Sequence, residues 1–431
     1  MKFLYKQFEI DNSVYIFCAQ DFEIFKINEK DNIENTLEEI DSKKVIPNLV
    51  KNNSTDFINH RSINTIGIDI INGCNLACEY CYISAYDKKK KKLSKEKFLD
   101  ILNLLKKTKD NHIAFYFVGG GEPTLNFDLL KEIPSLCNEN GFESCFFDIT
   151  TNGTLLTQEM LNFFKVNKFL VHVSLDGPEE INKYRKYPNG KGCFKDVMNN
   201  IELLKENNID FSCKTVVQPN NQNLAGTFLF FEENKIRFKF SMSTDSLDEH
   251  YMPKVDDLKI FEKQMDDVIH VYKKLIEDNQ KIYALTIIED LKKIHYGIVN
   301  KNGCGACKKC FYIDIDGDIF PCSYHSSSKD LSVGNIYKGI DYDKIIKNEF
   351  YAKPVDEYTA CKNCWMKYLC SGSCFALKWL ENKDTTQPSD YLCKSYDIYW
   401  SAIIKLYTMV FSSISSGKNV NFISLEKLME N

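Results

Sequence analysis

The chain has 431 residues, 44% of them hydrophobic and 27% charged, with a formal net charge of −5. That is enough chain for two or three packed domains, and the balance of charge argues against a nucleic-acid partner. No apolar run reaches the roughly 20 residues of a membrane span, and the first six residues lack the apolar core of a signal peptide, so a cytoplasmic protein is expected. Its 17 cysteines are then unusual, because cytosolic thiols rarely form structural disulfides. Clustered there, they point to metal ligands or catalytic groups.

In chain order, residues 1–60 form a small α+β segment, with a hairpin-like pair at 13–18 and 22–27 and a helix at 33–40. Strand patterns follow at 64–70, 112–118, 144–150, 169–175, 211–217 and 236–242. They are rich in β-branched and aromatic residues and end in Gly, Asn or Asp turns. Helical patterns alternate with them, such as 94–107, which Ser94 caps and which lines up Phe98, Ile101, Leu102 and Leu105. The basic run 88–92 is predicted as a solvated loop. Six such units predict an α/β fold, a parallel sheet curved into a partial (β/α)6 TIM-like barrel over 63–250. Two helices, 255–278 and 283–299, form a bridge over 251–300. Residues 301–395 are short, turn-rich and cysteine-dense. A helix then closes the chain within 396–431, with Ile398, Trp400, Ile403, Ile404, Leu406 and Tyr407 as its apolar stripe. Cys18, Cys137, Cys145, Cys193 and Cys213 stand alone and are expected to be buried apolar thiols.

Three cysteines follow the first barrel strand on one loop: Cys74-Asn75-Leu76-Ala77-Cys78-Glu79-Tyr80-Cys81. A closed structural zinc site takes four protein ligands. Three thiolates can instead hold three irons of a [4Fe–4S] cube and leave the fourth iron open. Gly119-Gly120-Gly121-Glu122-Pro123 ends the second strand, Thr151-Asn152-Gly153 the third, and Ser174-Leu175-Asp176-Gly177-Pro178 the fourth. These are the strand ends where barrel active sites lie. Arg185 follows shortly after. Further on come Cys304, Cys307, Cys310 and Cys322, the last in Gly317-Asp318-Ile319-Phe320-Pro321-Cys322. Cys361, Cys364, Cys370, Cys374 and the more distant Cys393 complete the series.

The three-cysteine loop, with its aromatic Tyr80, resembles the signature of the radical S-adenosylmethionine (SAM) superfamily, and the later cysteines resemble its SPASM extension. The resemblance spans 63–395. It implies that the Cys74, Cys78 and Cys81 cluster chelates SAM and splits it to a 5′-deoxyadenosyl radical. It also implies that Gly120, Gly121 and Glu122 meet the SAM amino group. Asn152 and Ser174 would lie by the ribose and methionine, and Arg185 by the carboxylate. Two auxiliary [4Fe–4S] clusters are implied, one on Cys304, Cys310, Cys322 and Cys374, the other on Cys361, Cys364, Cys370 and Cys393. That makes three clusters in all. Cys307 is surplus; it either replaces Cys310 or stays free. SPASM enzymes mostly modify peptides, so a precursor peptide with a leader is the expected partner, with a flavodoxin- or ferredoxin-type electron donor. Two subclasses remain open. One forms thioether or carbon–carbon crosslinks in ribosomally made peptides and binds the leader through an N-terminal unit, a role open to 1–60. The other oxidises a sulfatase Cys or Ser to formylglycine. It typically carries Asp directly after the Pro-Cys element, where this chain has Ser323 and Tyr324. It also starts close to the first cluster motif. Both departures favour a thioether-forming peptide maturase.

Overall fold

In the computed structural model, the described residues are 4–19, 22–27, 63–108, 112–218, 221–243 and 254–415; the helix expected at 33–40 lies outside them. Strands β1 (Tyr5–Ile10), β2 (Ser13–Cys18) and β3 (Ile24–Ile27) form an antiparallel sheet with β2 in the centre. The expected hairpin thus gains a third strand. Asp11 and Asn12, at φ 47° and 59°, make the two-residue turn between β1 and β2, the backbone that twisted hairpins require. This sheet leans on the cysteine-rich region. Phe17 meets Trp365 edge-on at 6.0 Å, and Lys6 pairs with Asp397 at 3.2 Å while standing 5.2 Å over the Trp365 ring.

The first barrel strand is β4 (Thr65–Ile68). After it, β5 (Ile71–Asn72) pairs antiparallel with β6 (Lys91–Lys92), so the end of the basic run is a short exposed strand rather than a free loop. The barrel continues through β7 (His112–Phe117), β8 (Ser144–Thr151), β9 (Leu170–Ser174), β10 (Phe211–Val217) and β11 (Phe238–Met242). With β4 first, the six strands lie side by side in chain order, all parallel. They match the six predicted segments to within two residues at each end. Helices α1 (Lys95–Leu105), α2 (Phe127–Glu139), α3 (Gln158–Val166), α4 (Phe194–Glu206) and α5 (Leu224–Glu233) connect them. The start of α1 is set as the sequence suggests: the Ser94 hydroxyl accepts from the Lys97 amide at 3.2 Å. Its buried face is Phe98, Ile101, Leu102, Leu104 and Leu105. Burying such a face supplies most of a helix's stability in a protein.

Beyond the barrel lie α6 (Leu258–Glu277) and α7 (Leu285–His295). Strand β12 (Cys310–Ile313) then returns to the sheet, parallel to β4, with Cys310 opposite Thr65. Strands β13 (Asp318–Phe320), β14 (Gly334–Asn335) and β15 (Gly339–Ile340) extend it by antiparallel pairing. The cysteine-rich module therefore continues the barrel sheet at its β4 edge. After α8 (Phe375–Asn382), the long α9 (Asp390–Ser415) runs beside α6 and α7. Tyr399 donates to Asp290 on α7 at 2.7 Å, and Lys405 pairs with Asp266 on α6 at 3.5 Å. Of the isolated cysteines, Cys18, Cys137, Cys193 and Cys213 are buried as expected, whereas Cys145 is only half-buried. No helix of the described residues is long and apolar enough to cross a membrane.

Candidate active site and cluster ligands

The three-cysteine loop is held by main-chain bonds on both flanks. Gly73 donates to the Gly120 carbonyl at 3.0 Å, and the Glu122 amide donates to Gly73 at 3.0 Å. On the other side, Ala77 donates to Lys186 at 2.8 Å and Glu79 to Tyr184 at 3.1 Å. The close approach of Gly73 and Gly121 depends on glycine, since a Cβ on Gly121 would overlap the Gly73 carbonyl. Gly120 does not line the cavity; it takes part through its carbonyl and a φ of 41° beside Asp69.

Cys74, Cys78 and Cys81 open together onto a cavity of about 270 Å3. Its walls include Gly121, Asn152, Ser174 and Arg185, as the motifs predict, together with Tyr82, Met242 and Tyr324, which the motifs did not single out. The Cys74 sulfur accepts from the Leu76 amide at 3.4 Å and from Asn152 Nδ2 at 3.7 Å. Asn152 also donates to Asn75 at 2.8 Å. Burial, chiefly, pushes the Cys74 thiol up to about 11 and the Cys78 thiol up to about 12; the charge of Cys81 adds to both. For Cys78 the Arg185 guanidinium opposes the rise. Such thiols keep their protons at neutral pH until a metal displaces them into solvent.

Two expected SAM contacts, Glu122 and Arg185, also line the cavity, and each is bonded within the chain as well. Glu122 is buried, and its Oε1 accepts from the Thr124 amide (3.1 Å), the Thr124 hydroxyl (2.7 Å) and the Thr151 hydroxyl (2.7 Å). Its Oε2 accepts from the Asn152 amide at 2.6 Å. The carboxylate thus ties two strand-end turns together, because a buried charge needs donors within the protein. Arg185, 8% exposed, gives Nε to Asp176 at 2.8 Å and Nη2 at 3.1 Å, and stands 5.3 Å from the Tyr80 ring centre. Its fork is already filled by a carboxylate of the chain, so what it offers the cavity is charge and its remaining N–H groups. Asp176 also accepts from the Tyr80 hydroxyl and, at 3.0 Å, from the Val216 amide. Only its place two residues after Ser174 marked it in the sequence.

The remaining cysteines gather in two sets. Cys310 lies within electrostatic reach of Cys304, and Cys304 and Cys322 within reach of Cys374. Cys370 and Cys393 both sense Cys361 and Cys364. The grouping is compatible with the two quartets implied by the SPASM resemblance, and Cys307 falls within the first of them. Cys307 is fully buried, holds a left-handed φ of 57°, and senses Cys304, Cys310 and Cys322. Lys378, almost fully buried, senses members of both sets. Among the described residues no three His, Cys, Asp or Glu side chains converge as ligands of one metal ion. A cube keeps its thiolates at its corners, farther apart than the ligands of a single ion, so three thiols on one loop and two quartets of thiols fit clusters. Tyr82, next to Cys81, meets Tyr324, two residues past Cys322, with ring centres 4.9 Å apart. The module thereby reaches the cavity wall.

A parallel partial barrel, a three-thiol loop at its first strand and a thiol-rich module on its edge define an iron–sulfur enzyme of the radical SAM class. Residues 68–227 match the model of the Radical SAM superfamily, and residues 304–365 match that of the SPASM iron–sulfur cluster-binding domain. The chain is a radical SAM enzyme with a SPASM-type module, using SAM and [4Fe–4S] clusters. It is 28% identical to the cysteine-type anaerobic sulfatase-maturating enzyme of Clostridium novyi, over 79% of this chain and 95% of that one. It is 26% identical to the serine-type enzyme of Bacteroides thetaiotaomicron, over 77% and 86%. The structure of native anSMEcpe with bound AdoMet superposes with a TM-score of 0.69 at 24% identity, covering 81% of this chain and 99% of that chain. Streptococcus suis SuiB bound to precursor peptide SuiA gives 0.52 at 15% identity, covering 91% and 98%.

Proposed function

We propose that the enzyme removes two hydrogens from a peptide and closes an intramolecular crosslink, a thioether from a Cys sulfur to a carbon of another residue. The observation that carries this reading is the Tyr82–Tyr324 contact. It sets the cavity that would hold SAM against the module that would take up an electron. Loaded with its cofactors, the site would supply a 5′-deoxyadenosyl radical at the barrel and an electron acceptor at the module. The chain's own part is to place and enclose. Cys74, Cys78 and Cys81 hold one cluster, Cys304, Cys310, Cys322 and Cys374 the second, and Cys361, Cys364, Cys370 and Cys393 the third. Gly121, Asn152 and Ser174 line SAM, and Arg185 presents positive charge toward its carboxylate. A peptide substrate agrees with the SuiA-bound neighbour, and residues 1–60 are the place for its leader. An external flavodoxin- or ferredoxin-type protein supplies the electron.

Anaerobic reconstitution should give about 12 irons per chain, three cubes. Replacing Cys74, Cys78 and Cys81 together with Ala should remove about 4 of them and all 5′-deoxyadenosine production; continued production would overturn the assignment. The crosslinked peptide should be lighter by about 2 Da, and iodoacetamide should no longer label its Cys, as follows from radical oxidation at the cofactor. A second reading, formylglycine formation, is favoured by the sulfatase-maturating relatives and opposed by Ser323 and Tyr324 after Cys322. Its product would be an aldehyde that hydrazines capture.

A further inference from the structure

We propose that His325 is a positioning residue for the module, donating an imidazole N–H to the Cys322 sulfur and thereby raising the reduction potential of the cluster that Cys322 holds. This rests on the assignment of Cys322 as a cluster ligand. His325 Nδ1 lies 3.4 Å from Cys322 Sγ. The ring is fully buried, between Phe375 at 5.2 Å and Phe350 at 6.2 Å. Its other nitrogen, Nε2, is buried without any hydrogen-bond partner.

That orphan decides the tautomer. A neutral imidazole carries one proton. Placing it on Nε2 would bury an N–H with no acceptor, which costs more than leaving a lone pair unmatched. The proton therefore sits on Nδ1 and points at sulfur. The His325 backbone amide donates to the Cys322 carbonyl at 3.1 Å, which holds the ring beside the sulfur that it donates to. Donors to a cluster sulfur stabilise the more negative, reduced state, which raises the potential. The cluster that Cys322 would hold is thus tuned toward accepting an electron.

The test uses the full chain, reconstituted anaerobically. A redox titration followed by electron paramagnetic resonance identifies the Cys322 cluster as the signal lost in Cys322→Ala. His325→Phe keeps a flat ring in the aromatic box without a donor, whereas His325→Gln restores an N–H. The expected result is a full iron load in His325→Phe, with the reduction equilibrium of that signal about tenfold less favourable, about 59 mV lower for one electron. His325→Gln should recover part of the shift. An unmoved potential in His325→Phe overturns the proposal. So does loss of about four irons, one cube, which would make His325 a ligand. In the unaltered protein labelled with 15N-histidine, a weak nitrogen coupling to the reduced cluster supports donation. Absent coupling, or coupling of ligand size, overturns it. If Cys322→Ala loses no iron, the cluster assignment itself has failed, a result separable from all of these.

Discussion

Asp176→Asn removes the charge that neutralises Arg185 in a site shielded from water. In the native protein the carboxylate accepts from Arg185 Nε (2.8 Å) and Nη2 (3.1 Å), from the Val216 amide (3.0 Å) and from the Tyr80 hydroxyl. The amide keeps one acceptor oxygen but turns its other end into a donor, facing donors. A buried guanidinium is left uncompensated, and breaking such a pair from one side costs about 3–5 kcal/mol. That is a large part of the roughly 5–15 kcal/mol that holds a domain together. Anaerobic denaturant unfolding of Asp176→Asn, Arg185→Met and the double variant measures it. Each single change should cost several kcal/mol, and the double change clearly less than their sum, because the orphaned charge is gone. SAM binding should weaken in both single variants, since Arg185 is no longer held against Tyr80 in one and is absent from the other. A cost below about 1 kcal/mol for Asp176→Asn, the level of solvent-exposed pairs, would refute the view that this pair is the buried brace of the site.

Gly121→Ala should abolish cluster loading at the three-cysteine loop, read as loss of about 4 irons with unchanged circular dichroism, because the new methyl overlaps the Gly73 carbonyl. Phe17→Ala should cost about 3–5 kcal/mol in thermal or denaturant unfolding, since Phe17 is fully buried against Phe22 and Trp365. Burial pushes the Asp69 carboxyl up from 3.8 to about 7, so the native state holds its proton more tightly than the unfolded chain does. Its contribution is therefore fully present below about pH 4 and is lost as pH rises toward 7, by at most about 4 kcal/mol. Asp69→Asn should flatten that slope and raise stability at pH 8 relative to pH 5. Cys361→Ala should lower the recovered yield of folded protein more than Cys74→Ala does; equal yields would contradict the reasoning.

The barrel was legible because each strand carries its own signal, apolar and β-branched residues ending in a turn, and because parallel neighbours follow one another in the chain. The return of β12 to β4 was not. Its Cys310–Thr65 register joins residues 245 positions apart, and nothing local in either segment encodes the partner. The gathering of the clustered cysteines was legible from spacing: Cys74, Cys78 and Cys81 face one cavity, as three thiols on one short loop must. The roles of Glu122 and Arg185 were less so. The motif announces a carboxylate and a guanidinium near the cofactor, but burial forces each to find partners inside the protein first. Those partners, Thr151 and Asp176, are named only by the fold. His325 lies further out of reach of the sequence, because its meaning depends on two phenylalanines, 25 and 50 residues downstream, that enclose it.

The two thiol regions differ in what organises them. The Cys74 loop closes over eight residues and is fixed by backbone bonds from Gly73, Ala77, Glu79 and Glu122 to segments that belong to the barrel. The module draws its thiols from 304–322, from 361–374 and from Cys393 on α9, with short turns and left-handed residues such as Ser371 and Ser373 between them. Loops of that length are entropically costly to close, and a ligand that binds only the folded arrangement contributes its binding energy to folding. Under the proposed ligand sets, metal would contribute more to folding in the module than in the barrel. The N-terminal sheet belongs to this account as well, because Phe17 and Lys6 press on Trp365, the residue immediately after Cys364. The first strands thus brace the module beside Cys364.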